Sequence, residues 1–291
     1  MKKKKGWALV LAGGGARGLA HVGLLKGLEK NGFPKPSLVV GTSMGAIVGG
    51  LYACGKSPAE LESFITDEFV ITDYLDSFVF KLTGPVGKAI QVGQALTNLA
   101  AKTGIDSGQR VLELLKKMSS GKNFNETSII FRCNAADLLT GQEFVFNSGS
   151  VAEAMRASMS LPVFFEPVLK KGMCLVDGGL LDNMPVHIAR EEGFKKVLAI
   201  NVNNFTRAKS SDLVTGPQII FRSLDCAINA QGIEKRAKAN LTINIKVVDA
   251  LYSFYKHKEL IMLGEQSVKK NLNDLKSFFD EDSVFKGRKK K

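Results

Sequence analysis

Trp7-Ala8-Leu9-Val10-Leu11-Ala12 runs into Gly13-Gly14-Gly15-Ala16-Arg17-Gly18, and Leu38-Val39-Val40 runs into Gly41-Thr42-Ser43-Met44-Gly45. Each is a short apolar run meeting a glycine-rich turn, the pattern of a buried strand feeding a tight loop. After the first turn, Leu19, Val22, Leu25 and Leu28 recur at helical spacing until Asn31-Gly32, with Pro34 and Pro36 as breakers. After the second, residues 44–53 are small and apolar, suited to a helix lying close on a sheet. Strand, helix, strand, helix within about fifty residues is a parallel α/β pattern.

The pattern continues downstream. Residues 58–69 read as a helix, with Ser57 as N-cap, Pro58 at the first position and Glu60 completing a capping box. Helices are expected over 111–118, 151–159, 185–192 and 259–272, and strands over 128–135, 143–146, 173–176, 196–202 and 241–245. A turn at Thr140-Gly141 separates two of those strands. Residues 218–235 read as an amphipathic helix with Ile219, Ile220, Leu224, Ile228 and Ile233 inward. Residues 69–82 crowd aromatic and aliphatic side chains irregularly, which reads as core, as an apolar cover over a site, or as a membrane-dipping surface. With no repeat or linker, a single domain over 7–285 is expected, between basic ends 1–6 and 286–291.

The 291 residues carry a net charge of +12 and are 45% apolar, an ordinary globular composition that excludes disordered and fibrous classes. Lys2 to Lys5 and Arg288 to Lys291 supply eight basic residues without an acid, leaving about +4 for the body. Such ends are either solvated or attracted to a polyanion, anionic lipid or nucleic acid. No apolar run approaches the ~18–20 residues of a spanning helix. The run from Trp7 to Ala12 is also short for a signal peptide and meets Arg17 soon after, so a cytoplasmic protein is expected. Cys54, Cys133, Cys174 and Cys226 form no Cys-x-x-Cys, which argues against zinc or redox motifs and fits small buried residues in a reducing compartment.

Three strand ends carry chemistry. Gly41-Thr42-Ser43-Met44-Gly45 is a Gly-x-Ser-x-Gly turn between strand and helix, which exposes a serine oxygen to the helix N-terminus. It also reads as a plain glycine-rich turn with a capping serine. Gly13, Gly15 and Gly18 make a Gly-x-Gly-x-x-Gly, but the next strand ends without the acid a dinucleotide ribose needs. The alternative is a set of glycine N–H groups converging on a developing anion. Arg17 steadies that loop, attracts a phosphate, or forms a structural ion pair. Asp177-Gly178-Gly179 exposes a carboxylate at a sharp turn or simply ends a strand. Of the histidines, His21 reads as packed in the first helix. His187 starts a helix after Pro185. His257, in the order Ser43, Asp177, His257, would complete a hydrolase triad from a basic surface setting poor for a buried base.

Taken together, these residues resemble the patatin-like phospholipase family in its compact bacterial form. The resemblance rests on Gly13 to Gly18 with His21 and Gly23, and on Gly41 to Gly45. It rests also on Ala157-Ser158-Met159-Ser160-Leu161-Pro162 with Phe165 and Pro167, and on Asp177-Gly178-Gly179 with Asn183 and Pro185. It spans residues 7 to about 200, loosely includes 239–264, and leaves 67–125 and 203–237 unmatched. It implies a three-layer α/β/α sandwich with a mostly parallel central sheet. It implies a Ser43–Asp177 dyad, with Ser43 as nucleophile and Asp177 as base. Gly13, Gly14 and Gly15 would form the oxyanion hole, supported by Arg17, Met44, Gly178 and Gly179, and His21 would not be the catalytic base. The expected activity is hydrolysis of phospholipid or lysophospholipid acyl esters without calcium, metal or cofactor. The other readings are a non-catalytic lipid-binding module and a nucleic-acid binder, the last without any supporting signature. The basic ends are expected to dock on an anionic membrane, with residues 69–82 as the other docking candidate.

Overall fold

A computed structural model describes residues 5–68, 103–203, 205, 207–210, 213–214, 216–236, 238–247 and 254–287. The basic ends, apart from Lys5 to Gly6 and Lys286 to Gly287, and the stretch 69–82 lie outside the described residues. In chain order the strands are β1 (Ala8–Leu11), β2 (Leu38–Gly41), β3 (Gly104–Asp106), β4 (Ile130–Asp137), β5 (Gln142–Phe146), β6 (Val163–Phe165), β7 (Val168–Lys170), β8 (Met173–Asp177), β9 (Val197–Asn201) and β10 (Leu241–Asn244). The helices are α1 (Ala20–Lys30), α2 (Met44–Ala53), α3 (Pro58–Ser63), α4 (Gln109–Met118), α5 (Val151–Ser158), α6 (Val186–Glu191), α7 (Gly216–Arg236), α8 (His257–Lys270) and α9 (Leu272–Gly287).

The main sheet runs β10-β9-β1-β2-β4-β8-β7, with β5 also on β4. From β10 to β4 every pairing is parallel, with Leu9 opposite both Val39 and Leu198. β5 and β8 are antiparallel to β4, and β7 is antiparallel to β8. Side chains alternate between the faces. Leu9 and Leu11 join one core with α1, α2, α5 and α8, while Ala8, Val10 and Ala12 join a second with Val186, Ile188 and Phe194. Helices thus cover both faces of a mostly parallel sheet, which explains why its central strands are apolar throughout. α1 and α8 touch backbone to backbone: a Cβ on Gly23 would strike the Ile261 carbonyl, and one on Gly264 the Ala20 carbonyl.

Several expectations change. The helix from residue 58 ends at Ser63 and passes into a π-turn, Phe64–Glu68; its capping box is formed as read. β3, β6 and β7 are three-residue strands that the sequence did not signal, β3 and β6 forming a separate parallel pair. Ile219 and Ile220 were expected inward but are half exposed, because α7 turns Leu224 and Ile228 toward the interior instead. Cys226 is exposed on that outer face rather than buried. The closing helix expected over 259–272 is two helices, α8 ending at Lys270 and α9 carrying on to Gly287. Among the described residues, no helix is long and apolar enough to cross a membrane.

Candidate active site

β1, β2 and β9 end at the same edge of the sheet, and β8 delivers Asp177 beside them. At the end of β2, Thr42 N–H donates to the Leu11 carbonyl (3.1 Å), continuing the ladder, and the chain then turns at Ser43 with φ 53° and ψ −122°. A positive φ is costly for a residue with a Cβ and marks a held turn. Gly45 is required there, since any Cβ would meet the Leu11 carbonyl oxygen. Ser43 N–H donates to Ser158 Oγ (2.9 Å), so the Ala157–Pro162 stretch braces the turn. α2 begins at the next residue and aims its N-terminus at the serine.

Asp177 closes β8, where it pairs with Ala135 and donates its N–H to the Ser160 carbonyl (2.9 Å). The Ser43 hydroxyl is hydrogen-bonded to its carboxylate, and Gly179 N–H donates to Oδ1 (2.8 Å). Burial pushes the Asp177 carboxyl up to about 6, against the pull of those two hydrogen bonds. Serine and aspartate, far apart in sequence, are thus brought together at one cavity wall.

The glycine loop departs from its expected use at one position. Gly13 N–H donates to the Asn183 carbonyl (3.2 Å), so it is not available to an anion. The Gly13 carbonyl in turn accepts from Asn183 Nδ2 (3.2 Å) and Asn203 Nδ2. Gly14 and Gly15 line the cavity beyond it, and the chain continues into a 3-10 turn, Gly15–Leu19. Buried Arg17 directs Nε at the Gly14 carbonyl (3.4 Å) and Nη2 at Asp225 of α7 (3.6 Å). His21 is fully buried, and burial lowers it to about 4. It is neutral at pH 7, and its Nε2–H donates to the Ala12 carbonyl (2.8 Å) behind the loop. His257 bonds locally to the Phe254 carbonyl (3.2 Å) and does not line the cavity.

The cavity at this edge measures about 420 Å³. Its polar lining is Arg17, Ser43, Asp177, Asn183, Asn203 and Asp225; the remainder is glycine and apolar side chains, among them Met44, Ile47, Leu51, Phe64, Leu115, Phe164 and Ile228. A few polar groups in an otherwise apolar cavity suit a molecule with one reactive polar group and a long apolar part.

Behind the serine lies a network that the sequence did not announce. Thr42 Oγ1 donates to Asn134 Oδ1 (2.8 Å), and Asn134 Nδ2 donates to Glu143 Oε1 (2.7 Å) and the Asp182 carbonyl (2.8 Å). His187 bridges Glu143 through Nε2 (2.8 Å) and Asp182 through Nδ1 (3.2 Å). These three groups are close enough to hold a cation. The ring nitrogens, however, each face a carboxylate, which is the arrangement of an imidazolium. The Asp182 and Glu143 hydrogen bonds push His187 up to about 10 from 6.5. The sign follows: its contribution to stability is complete below pH 6.5 and disappears as pH rises through about 10. Lys238 lines the same cleft. His187→Gln is expected to lower stability at pH 7 but to change it little at pH 10.5; urea unfolding at both values checks this, and an equal loss at both would contradict it.

The sequence profile of the patatin-like phospholipase family matches residues 9–190. The chain is 33% identical over 196 residues to the lysophospholipase NTE1 of Kluyveromyces lactis, covering 67% of this chain and 12% of that protein. It is 33% identical over 224 residues to patatin-like phospholipase domain-containing protein 6 of Mus musculus, covering 75% and 15%. It thus spans about an eighth of the length of these curated relatives. Among solved structures, VipD from Legionella pneumophila shares the fold with a TM-score of 0.52 at 16% identity, over 94% of this chain and 67% of that one. The profile covers more than half of the chain, and its span holds the serine turn, the glycine loop and the aspartate strand end: the chain belongs to the patatin-like phospholipase family.

Proposed function

We propose that the protein is a serine acyl hydrolase acting on lipid esters, of the phospholipase A or lysophospholipase type, through a Ser43–Asp177 dyad. The observation that carries this reading is the Ser43 hydroxyl on the buried Asp177 carboxylate in an otherwise apolar cavity. Asp177 accepts the Ser43 proton as Oγ attacks the ester carbonyl carbon. A carboxylate at its ordinary value of 3.8 is a weak base for a hydroxyl; at about 6 it is a better one, and at pH 7 it is still ionised. The oxyanion that forms is met by the Gly14 and Gly15 N–H groups and the α2 N-terminus. Collapse breaks the ester C–O bond, Asp177 returns the proton to the departing alcohol, and a fatty acyl group remains on Ser43. Asp177 then deprotonates a water that attacks the acyl-enzyme, releasing the fatty acid and restoring Ser43. Arg17 lines the same cavity, and the Gly178-Gly179 turn holds the carboxylate through its N–H. Each step uses the chain's own side chains and backbone N–H groups with water, so the proposed course calls for no metal or cofactor.

The test is product analysis on a mixed-acyl phospholipid, the corresponding lysophospholipid and a soluble aryl ester, with Ser43 labelling by a fluorophosphonate alongside. Release of fatty acid with stoichiometric labelling of Ser43 is expected. Lipid binding without labelling or turnover would favour a non-catalytic lipid-binding module.

A further inference from the structure

We propose that two hairpin tips at the catalytic edge of the sheet, residues 138–141 and 169–172, form the surface by which the protein enters an anionic bilayer. The inference rests on the lipid-hydrolase reading, and it places docking on the folded body rather than on the basic ends.

β4 runs parallel to β2 and ends at the edge where Ser43 stands, but it extends further. Asp177 pairs with Ala135, so Leu138 lies three residues, about 10 Å, beyond the level of the dyad. β8 is antiparallel and begins at that same edge, which puts the β7–β8 turn there too. Leu138 N–H donates to the Cys174 carbonyl (2.9 Å), and Cys174 pairs with Leu169. Leu138, Cys174 and Leu169 therefore stand side by side on one face across three adjacent strands.

Leu138 is 56%, Leu139 69% and Leu169 78% exposed. Tight turns favour glycine, asparagine, aspartate and serine, because these satisfy the turning backbone and water together. A single exposed leucine is ordinary, but three at the tips of two neighbouring hairpins form a patch with a use. The patch is also built firmly. Asp137 accepts hydrogen bonds from Leu139 N–H (3.2 Å), Thr140 Oγ1 (2.8 Å) and Cys174 N–H (3.0 Å), tying the two hairpins together. The backbone that carries Leu138 and Leu139 is therefore held in place.

Two observations identify the occupant as lipid. Lys171, exposed, and Lys170, ion-paired with Glu153 (2.7 Å), directly follow Leu169, so the exposed Lys171 borders the leucines with the positive charge that anionic headgroups attract. Among the described residues, further exposed apolar side chains, Phe205, Leu213, Val214, Ile219 and Ile220, lie on the segment that leaves β9 and enters α7. α7 turns Leu224 and Ile228 into the cavity itself. Exposed apolar groups thus lie on both sides of the strand that carries the serine, after β9 and on β4 and β7, and a bilayer surface is one partner broad enough to meet both while supplying the substrate.

The experiment uses the full chain and vesicles of phosphatidylcholine with phosphatidylglycerol. Leu138→Ser/Leu139→Ser/Leu169→Ser is expected to weaken vesicle binding about ten-fold or more, with turnover of a soluble aryl ester retained as proof of folding. Leu139→Trp is expected to shift its emission to shorter wavelength on adding vesicles, against the constant background of buried Trp7 (4% exposed). Removal of residues 1–6 and 286–291 is expected to leave this shift in place. Failure of the wild type to bind, undiminished binding by the triple variant, or an unshifted emission would each overturn the proposal. Soluble-ester turnover that does not depend on Ser43 would instead overturn the catalytic reading, independently of the vesicle result.

Discussion

Ser43→Ala is expected to lower kcat on a soluble aryl ester by about 10⁵–10⁶-fold, equivalent to about 7–8 kcal/mol of transition-state stabilisation. In the proposed course Oγ is the atom that forms the acyl bond, and among the described residues no other hydroxyl lines the cavity to take its place. The variant should fold normally. Its backbone N–H still reaches Ser158, and the turn is built by the Gly41 and Gly45 contacts and the Thr42–Asn134 bond, none of which uses the serine side chain. Residual activity would come from binding and from the Gly14 and Gly15 donors. Steady-state kinetics together with fluorophosphonate labelling check this, and turnover within ten-fold of the wild type would end the dyad proposal.

Asp177→Asn is expected to lower kcat by about 10⁴-fold while leaving the site nearly undisturbed, because an amide oxygen still accepts the Gly179 N–H but cannot take the serine proton. The wild-type pH profile should be informative as well. As the proposed base, Asp177 would work only when ionised, so kcat/KM should rise with pH through an inflection at about 6. A stability effect of opposite direction accompanies it. The folded carboxyl titrates at about 6 against 3.8 when free, so its contribution to stability is complete below 3.8 and is lost as pH rises through about 6. Above that pH the fold holds a buried anion at a cost, and Asp177→Asn should melt at a higher temperature than the wild type. Loss of activity with a raised Tm at pH 7.5 is the expected pair. A rate inflection near 4, or full activity of Asp177→Asn beside loss of activity in His257→Ala, would point to different machinery.

Much of this was legible in the sequence where structure is decided locally. β1, β2 and α2 fall within a residue of the expected positions, because an apolar run closed by glycine specifies both a buried strand and its end. The Ser57–Glu60 capping box forms as read, since its donors and acceptors lie within one helical turn. By contrast β3, β6 and β7 are defined by partners rather than by their own residues. Gly104–Asp106 is a strand only because Val163–Phe165 lies beside it. Ile219 and Ile220 were assigned inward by helical periodicity, but a helix with apolar residues around most of its circumference does not say which side meets the core.

The same division runs through the site. By itself the sequence determined three strand ends, each with glycines shaped for a tight turn, carrying a serine, an aspartate and a row of amides; local backbone geometry demands those residue types wherever such turns occur. Only the tertiary structure decided what they do to one another. It set Ser43 on Asp177, turned Gly13 N–H away onto Asn183, and raised His187 between Glu143 and Asp182. Hydrogen bonding across strands and loss of water act between groups that are remote in the chain and close in space, so periodicity and spacing along the sequence carry no record of them.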